Sequence, residues 1–294
     1  MTESRGERLC LSRRAFLLSV GTAVGLLALG GPSEVFGQGA APALAQVVRP
    51  LATPRAAATA RPTITVRYPT PTPTGLPVTS GLQMWFDAGT QCDGVGDGVA
   101  QSSWTDLSGN ARHVVQASGT LQPTCQTAVG DLVNGLPVID FDGTDDYLRL
   151  AFGSLAQSTT IFVVADSDDQ DGNSFYFDGV ASREAIYWRV TGQRAFFAGA
   201  EIDTSTNGQP AANTMASIVV DFDGASSAEW LDGTANGTGN PGSAALTGIT
   251  LGNSSGLSGP WNGQYAMVLV YAPKLSTGDR QLVEAYISTR WGTP

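Results

Sequence analysis

From residue 80 onward the chain is written in short apolar runs punctuated by Gly, Asn and Asp. Runs at 82–87, 137–141, 147–150, 160–165, 174–177, 186–190, 195–198, 216–222, 228–231, 249–251 and 264–271 predict eleven strands. Turn signals at such short intervals are those of an antiparallel sandwich or barrel. Asp142-Gly143, Asp178-Gly179, Asp223-Gly224 and Asp232-Gly233 offer the positive-φ positions that tight hairpins need. The stretches 160–165 and 267–271 are apolar on both faces and are expected to be central strands. One segment has the other period. Ser276, with Asp279 three positions on, opens a capping box in which Asp stands for Glu or Gln. Leu282, Val283, Tyr286, Ile287 and Trp291 then recur at helical spacing, and Gly292 ends the run. That apolar stripe is expected to dock on the sandwich.

Ahead of this body the pattern changes twice. An apolar run at 16–29, interrupted by Ser19, Gly21 and Gly25, follows Arg13-Arg14 and a basic amino terminus. The run is shorter than the roughly 20 apolar residues a spanning helix needs. With Ala43-Leu44-Ala45 as a cleavage site, the order is that of a twin-arginine export signal over residues 1–45. The expected partner at this stage is the twin-arginine translocase, which carries folded proteins. The product is then extracellular or at the cell surface, tethered if the signal stays uncleaved. Residues 46–79 are rich in Pro, Thr and Ala, and 70–74 reads Thr-Pro-Thr-Pro-Thr. Such a stretch is a disordered, extended spacer.

Charge narrows the class of partner. The body holds 8 basic and 23 acidic side chains, a formal net of −15, while the spacer holds four arginines and no acid. An acidic surface repels phosphate backbones, so nucleic acid is not an expected partner. Cys10 falls within the signal, which leaves Cys92 and Cys125 as an even pair in an exported domain. That favours a structural disulfide.

The strings are also familiar in their order. Gly81-Leu82-Gln83-Met84-Trp85-Phe86-Asp87-Ala88, Trp104-Thr105-Asp106-Leu107-Ser108-Gly109-Asn110, residues 135–143 with Asp145-Asp146-Tyr147-Leu148, Leu251-Gly252-Asn253 and Trp261-Asn262-Gly263 precede the final helix. Together they resemble the laminin-G-like, concanavalin-A-like jelly-roll domains of bacterial surface proteins, over 81–292. The resemblance implies an all-β, two-sheet antiparallel jelly-roll sandwich with one C-terminal helix, occupying residues 80–294. It does not imply one function, because the fold hosts lectins, glycosidases, adhesins and spacers.

Candidate chemistry follows from that frame. Glu201-Ile202-Asp203 resembles the start of the acidic strand of some concanavalin-A-like glucanases, but Thr204-Ser205-Thr206 stands where a second Glu would be. A retaining glycosidase needs two matched carboxyls, so no catalytic residue is assigned and the chain is read as a non-enzyme. The single His113 has no nucleophile elbow to serve, and one His with a paired Cys set cannot build a zinc site. No cofactor is required. Calcium is the one ion the acidic loops invite, at Asp93 and Asp97 or at Asp142 and Asp145 beside Asp146, with a simple Asx turn as the alternative for the second group. Tyr176, Tyr187, Trp188 and Trp230 are the aromatics offered for stacking on sugars, each with the sandwich core as its alternative place. Alternation puts Tyr187 and Trp188 on opposite faces. The expectation is an exported binding module for extracellular carbohydrate, or else a surface module that holds a cell-surface protein.

Overall fold

The apolar runs pair into two antiparallel layers in the computed structural model, which describes residues 75–168, 172–189, 192–204 and 210–294. All of these belong to the compact unit Thr63–Pro294. Arg13, Arg14, the rest of the expected export signal and most of the expected spacer lie outside the described residues. In chain order the elements are β1 (Leu82–Asp87), α1 (Ala88–Gln91), β2 (Val99–Ala100), β3 (Ser103–Trp104), β4 (Val114–Val115), β5 (Thr124–Gln126), β6 (Val138–Asp142), β7 (Leu148–Leu155) and β8 (Thr159–Ser167). They continue with β9 (Ser174–Phe177), β10 (Ala185–Trp188), β11 (Arg194–Phe197), β12 (Glu201–Asp203), β13 (Ala216–Phe222), β14 (Ser227–Leu231), β15 (Thr234–Gly239), β16 (Leu246–Leu251), β17 (Asn262–Tyr271) and α2 (Thr277–Trp291).

One layer is a nine-stranded sheet, eight strands in the order β15-β14-β13-β8-β17-β6-β5-β2 and β1 paired to β17 beside them. Its centre is the pair of expected double-sided strands, β8 and β17, paired from Thr160 opposite Tyr271 to Ser167 opposite Gly263 with one register shift between Tyr265 and Met267. The other edge of β17 is shared by β6 along 262–265 and by β1 further on. The second layer comprises β12-β11-β10-β9 and β16-β7-β4-β3. A bridge between Asp178 and Thr250 joins these two sheets, each backbone N–H donating to the other's carbonyl at 3.0 and 2.7 Å.

Aromatic pairs carry the packing between layers. Trp104 of β3 meets Tyr265 of β17 edge-on at 6.5 Å, Phe196 of β11 meets Phe222 of β13 at 5.9 Å, and all four are buried. Cys92 and Cys125 are bridged with their Cα atoms 5.7 Å apart, tying the end of α1 to β5.

The final helix is built as its sequence implies. Ser276 Oγ accepts from Asp279 N–H at 3.1 Å, and Gly292 ends the helix in the left-handed region at φ 69. Val283, Ile287 and Trp291 are buried, and Arg290 reaches β1 to make two bonds of 2.6 Å with the buried Asp87 carboxylate. Leu282 departs from the expected stripe: it is 55% exposed, because the helix turns Val283 and Ile287 inward and leaves Leu282 on the flank.

The folded body starts earlier than residue 80. Leu76 and Val78 are buried in the core, and Tyr271 Oη donates to the Val78 carbonyl at 2.9 Å. Six strands lie outside the eleven expected runs: β2, β3, β4, β5, β12 and β15. The first three are two residues long, and β15 reads Thr-Ala-Asn-Gly-Thr-Gly, an edge strand without an apolar face.

Candidate functional site

The face of the β9–β12 sheet opposite the main core carries a second, smaller cluster of buried aromatic and small residues. Alternation along β10 sends Ile186 and Trp188 into the main core and turns Ala185 and Tyr187, themselves buried with Tyr187 8% exposed, to the opposite face. The neighbouring strands contribute Phe175 from β9 and Ala195 and Phe197 from β11 to the same outer cluster. Tyr187 lies directly opposite Phe175 across the β9–β10 pair. Their rings stack with centroids 4.6 Å apart and planes within 10°, a geometry that non-hydrogen-bonded cross-strand neighbours can adopt. The rings of Phe175 and Tyr187 share a depression with Phe197. The result is a trough of about 420 Å³ whose walls include Phe175, Tyr187, Phe197, Arg183, Arg189 and Glu201.

Polar groups close the trough and are themselves held. Arg183 stands over Phe175 and Phe197 at 5.8 and 5.2 Å from their centroids. Its Nε donates to Asp178 Oδ1 at 2.7 Å. Asp178 is wholly buried, and its second oxygen accepts from Ser255 N–H at 2.7 Å. One carboxylate therefore fixes both an arginine of the trough and the loop beside it. At the opposite end, Arg189 Nη1 lies 3.0 Å from Glu201 Oε1 and 2.6 Å from Asp203 Oδ1, while Tyr187 Oη donates to Glu201 Oε2. Burial and then the like charge of Asp203 raise the Glu201 carboxyl above its ordinary range.

Glu201 and Asp203 thus do face the same way on an edge strand, the arrangement two carboxylates would need. Arg189 sits against both, and Tyr187 holds the glutamate, so each carboxylate is engaged in a structural pairing.

Of the aromatics expected to stack on sugar, the structure delivers Tyr187 to the trough and withholds the others. Tyr176 and Trp188 are buried at 1% and 3% exposure, Tyr176 tilted against Trp261 at 3.9 Å, so neither can reach a ligand. Both point inward because their strands bury the face opposite the trough. Trp230 is half-buried on β14, away from this sheet, with the Arg280 guanidinium 3.9 Å above its ring. The missing partners are Phe175 and Phe197, with Arg183 and Arg189. Their signal is the same alternation that separates Tyr187 from Trp188, but an expectation built on tyrosine and tryptophan passes over phenylalanine.

The acidic loops behave as backbone clamps. Asp97 Oδ1 accepts from the N–H groups of Thr127 and Ala128 at 2.9 and 3.2 Å, and Asp93 is exposed beside it. These two do not belong to any group of three converging ligands among the described residues. Asp142, Asp145 and Asp146 do converge, with carboxylate oxygens within 4.8 Å of one another. In that turn Asp142 Oδ1 accepts from Thr144 N–H at 2.8 Å and Asp146 Oδ2 from Asp142 N–H at 3.1 Å, which is the Asx-turn use of such side chains. Burial lifts the Asp146 carboxyl to about 6. Nearby on the same sheet, Asp140 is lifted to about 7 by burial and by Asp168, Asp166 and Asp146.

The Trp104–Asn110 string is likewise architectural. Asp106 accepts from Trp85 N–H, Ser108 N–H and Arg112 N–H at 3.0, 2.9 and 2.9 Å, and His113 Nδ1 accepts from Asp106 N–H at 3.0 Å.

No protein-family model matches the chain, and no curated protein does. Solved structures match its fold. Domain 4 of a GH43 extracellular arabinanase from Geobacillus stearothermophilus, in complex with arabinotriose, aligns at TM-score 0.50 and 11% identity, covering 69% of this chain and 97% of that one. A GH54 α-L-arabinofuranosidase aligns at TM-score 0.53 and 14% identity over 70% of this chain and 54% of the enzyme. Trypanosoma rangeli sialidase aligns at 0.51 and 13% over 73% of this chain. The chain spans about a third of that sialidase, 34% of its length. At such identities the likeness is one of fold: this is an antiparallel β architecture that carbohydrate-active proteins contain.

Proposed function

We propose that this chain is an exported, non-catalytic carbohydrate-binding module whose binding face is the trough on the β9–β12 sheet. The observation that carries the reading is the stacked Phe175–Tyr187 pair sharing one trough with Phe197, with Arg183, Arg189 and Glu201 among its walls. Sugars present apolar C–H faces edged by hydroxyls, and aromatic surface with flanking hydrogen-bonding groups is what receives them. Two fold neighbours, an arabinanase domain in complex with arabinotriose and an α-L-arabinofuranosidase, support the same reading. The non-catalytic assignment rests on Glu201 and Asp203, both engaged by Arg189. Calcium has no part in this site, and the Asp142–Asp146 turn is read as structural.

The test is a glycan and polysaccharide binding screen of the whole chain, in calcium and again in chelator. Binding is expected in both, and Tyr187→Ala with Phe197→Ala should weaken it by roughly tenfold or more, as loss of about 1.4 kcal/mol of stacking would. Trp230→Ala should leave it unchanged. Absence of any glycan binding overturns the reading in favour of a protein-interaction module. Turnover of the bound glycan that Glu201→Gln abolishes overturns the non-catalytic part.

A further inference from the structure

The trough does not stop at β9. A second depression of about 310 Å³ shares Asn173, Phe175 and Arg183 with it and is walled on its far side by the loop 254–258. A third, of about 280 Å³, shares Asn173 and Ser258 with the second and reaches Gly143 and Asn262 at the end of β6 and the start of β17. Shared walls make the three one groove, running across the strands instead of along them. With neighbouring strands about 4.8 Å apart, the step from β12 to β9 alone covers about 14 Å.

The middle of this groove is built rigidly. Arg149 Nη2 donates to the Ser254 and Ser255 carbonyls at 3.3 and 2.7 Å. Asn253 Oδ1 accepts from Ser254 and Gly259 N–H at 2.9 and 3.0 Å, and Asp178 holds Ser255. The loop thereby presents Ser258, which is exposed, as a fixed polar wall. At the far end Gly143 has φ 72, and a Cβ there would come within 2.5 Å of the Asn262 side chain, so only glycine lets this turn pack against the start of β17. The two arginines facing the groove are already neutralised, Arg183 by Asp178 and Arg189 by Glu201 and Asp203.

We propose that the groove binds a chain of several sugar units of a neutral polysaccharide, one unit stacked in the aromatic trough and its neighbours bonded along the 254–258 loop. This rests on the reading of the trough as a glycan site and adds the ligand's length and charge. A paired arginine gives no net cationic field to attract a uronate, sialate or sulfate, and a rigid wall lowers the entropic loss on binding a long ligand.

The experiment is isothermal titration of the whole chain with arabino-, xylo- and cello-oligosaccharides, from mono- to hexasaccharide, and with oligogalacturonates and a sulfated oligosaccharide at low and added salt, alongside Ser258→Trp, an exposed substitution that fills the middle of the groove. In the series that binds, affinity should rise at least tenfold from the shortest to the longest ligand and then level off. Ser258→Trp should bring the long ligands down to the affinity of the short ones and leave the short ones unchanged. Equal affinity at all lengths, or long-chain binding untouched by Ser258→Trp, overturns the chain-length inference while leaving the trough as a glycan site. Binding confined to uronic or sulfated chains and lost with added salt overturns the neutral-ligand part. Failure of every glycan to bind overturns the underlying reading as well.

Discussion

Asp178 shows how much one side chain decides in this protein. Its backbone makes the bridge that joins the two small sheets, and its carboxylate accepts from Gly179 N–H at 2.8 Å as well as from Arg183 and Ser255. It is buried, so each of those bonds is made out of water, where loss of a charged acceptor costs more than at the surface. Asp178→Asn keeps the size but turns one acceptor into a donor facing a donor. We expect a loss on the order of 2 kcal/mol in stability and weaker binding of long oligosaccharides, because Arg183 and the 254–258 loop lose their common anchor. Denaturant melts and titration on the same variant check it, and wild-type affinity in Asp178→Asn would show that the groove does not depend on this carboxylate. Tyr187 shows a different kind of economy, using its ring face for Phe175 and its hydroxyl for Glu201.

Among the elements, those with a long apolar signal were legible and those without one were not. The runs that became β8, β13, β17 and α2 carry continuous or periodic hydrophobicity, and each is found within a residue or two of its expected ends. By contrast β2, β3 and β4 have only two residues each, and pairing across sequence-distant partners, such as Val115 opposite Arg149, creates them. The trough was half legible for the same reason. Alternation in Ala185-Ile186-Tyr187-Trp188 sorted Tyr187 from Trp188, but which face became the core depends on the opposing sheet, and that is a tertiary fact. The disulfide belongs to this scale because it fastens short elements that bury little of their own. It closes a loop of 33 residues between α1 and β5. In the chain-entropy account it is worth about 3 to 4 kcal/mol. Cys92→Ser with Cys125→Ser should lower stability by about that much and expose the β2–β5 edge first, and hydrogen exchange would read it there. Uniform loss of protection across all strands would mean that the staple acts only on the unfolded chain.

We propose that an export address and a spacer precede the acidic body. If the address is read by the twin-arginine route, replacing Arg13 and Arg14 together with lysine should hold the folded protein inside the cell, with the disulfide reduced; unchanged export would remove that route. The acidity has a thermodynamic consequence of its own. Glu184 is fully buried, bonded to Thr159 Oγ1 at 2.7 Å through one oxygen, and burial pushes its carboxyl to about 8. Asp140 and Asp146 are lifted to about 7 and about 6. Each of these groups has a folded pKa above its unfolded one, so between the two values the native state holds a proton that the unfolded chain gives up. Stability from this source is complete below about pH 4, declines as pH rises, and is gone once pH passes the folded pKa. Inside its window each group contributes a slope of about 1.4 kcal/mol per pH unit. The domain should therefore melt at a higher temperature at pH 5.5 than at pH 8, a direction that self-repulsion in a body of net −15 reinforces. Glu184→Gln separates the local effect from the global one, since it mimics the protonated side chain at every pH. It should raise the melting temperature most at pH 8 and less at pH 5.5, where only about one pH unit of the Glu184 window has been crossed, and flatten the slope by one group's share. Equal destabilisation at both pH values would mean that Glu184 is ionised in the folded protein and that its carboxylate, not its proton, is what the core is built around.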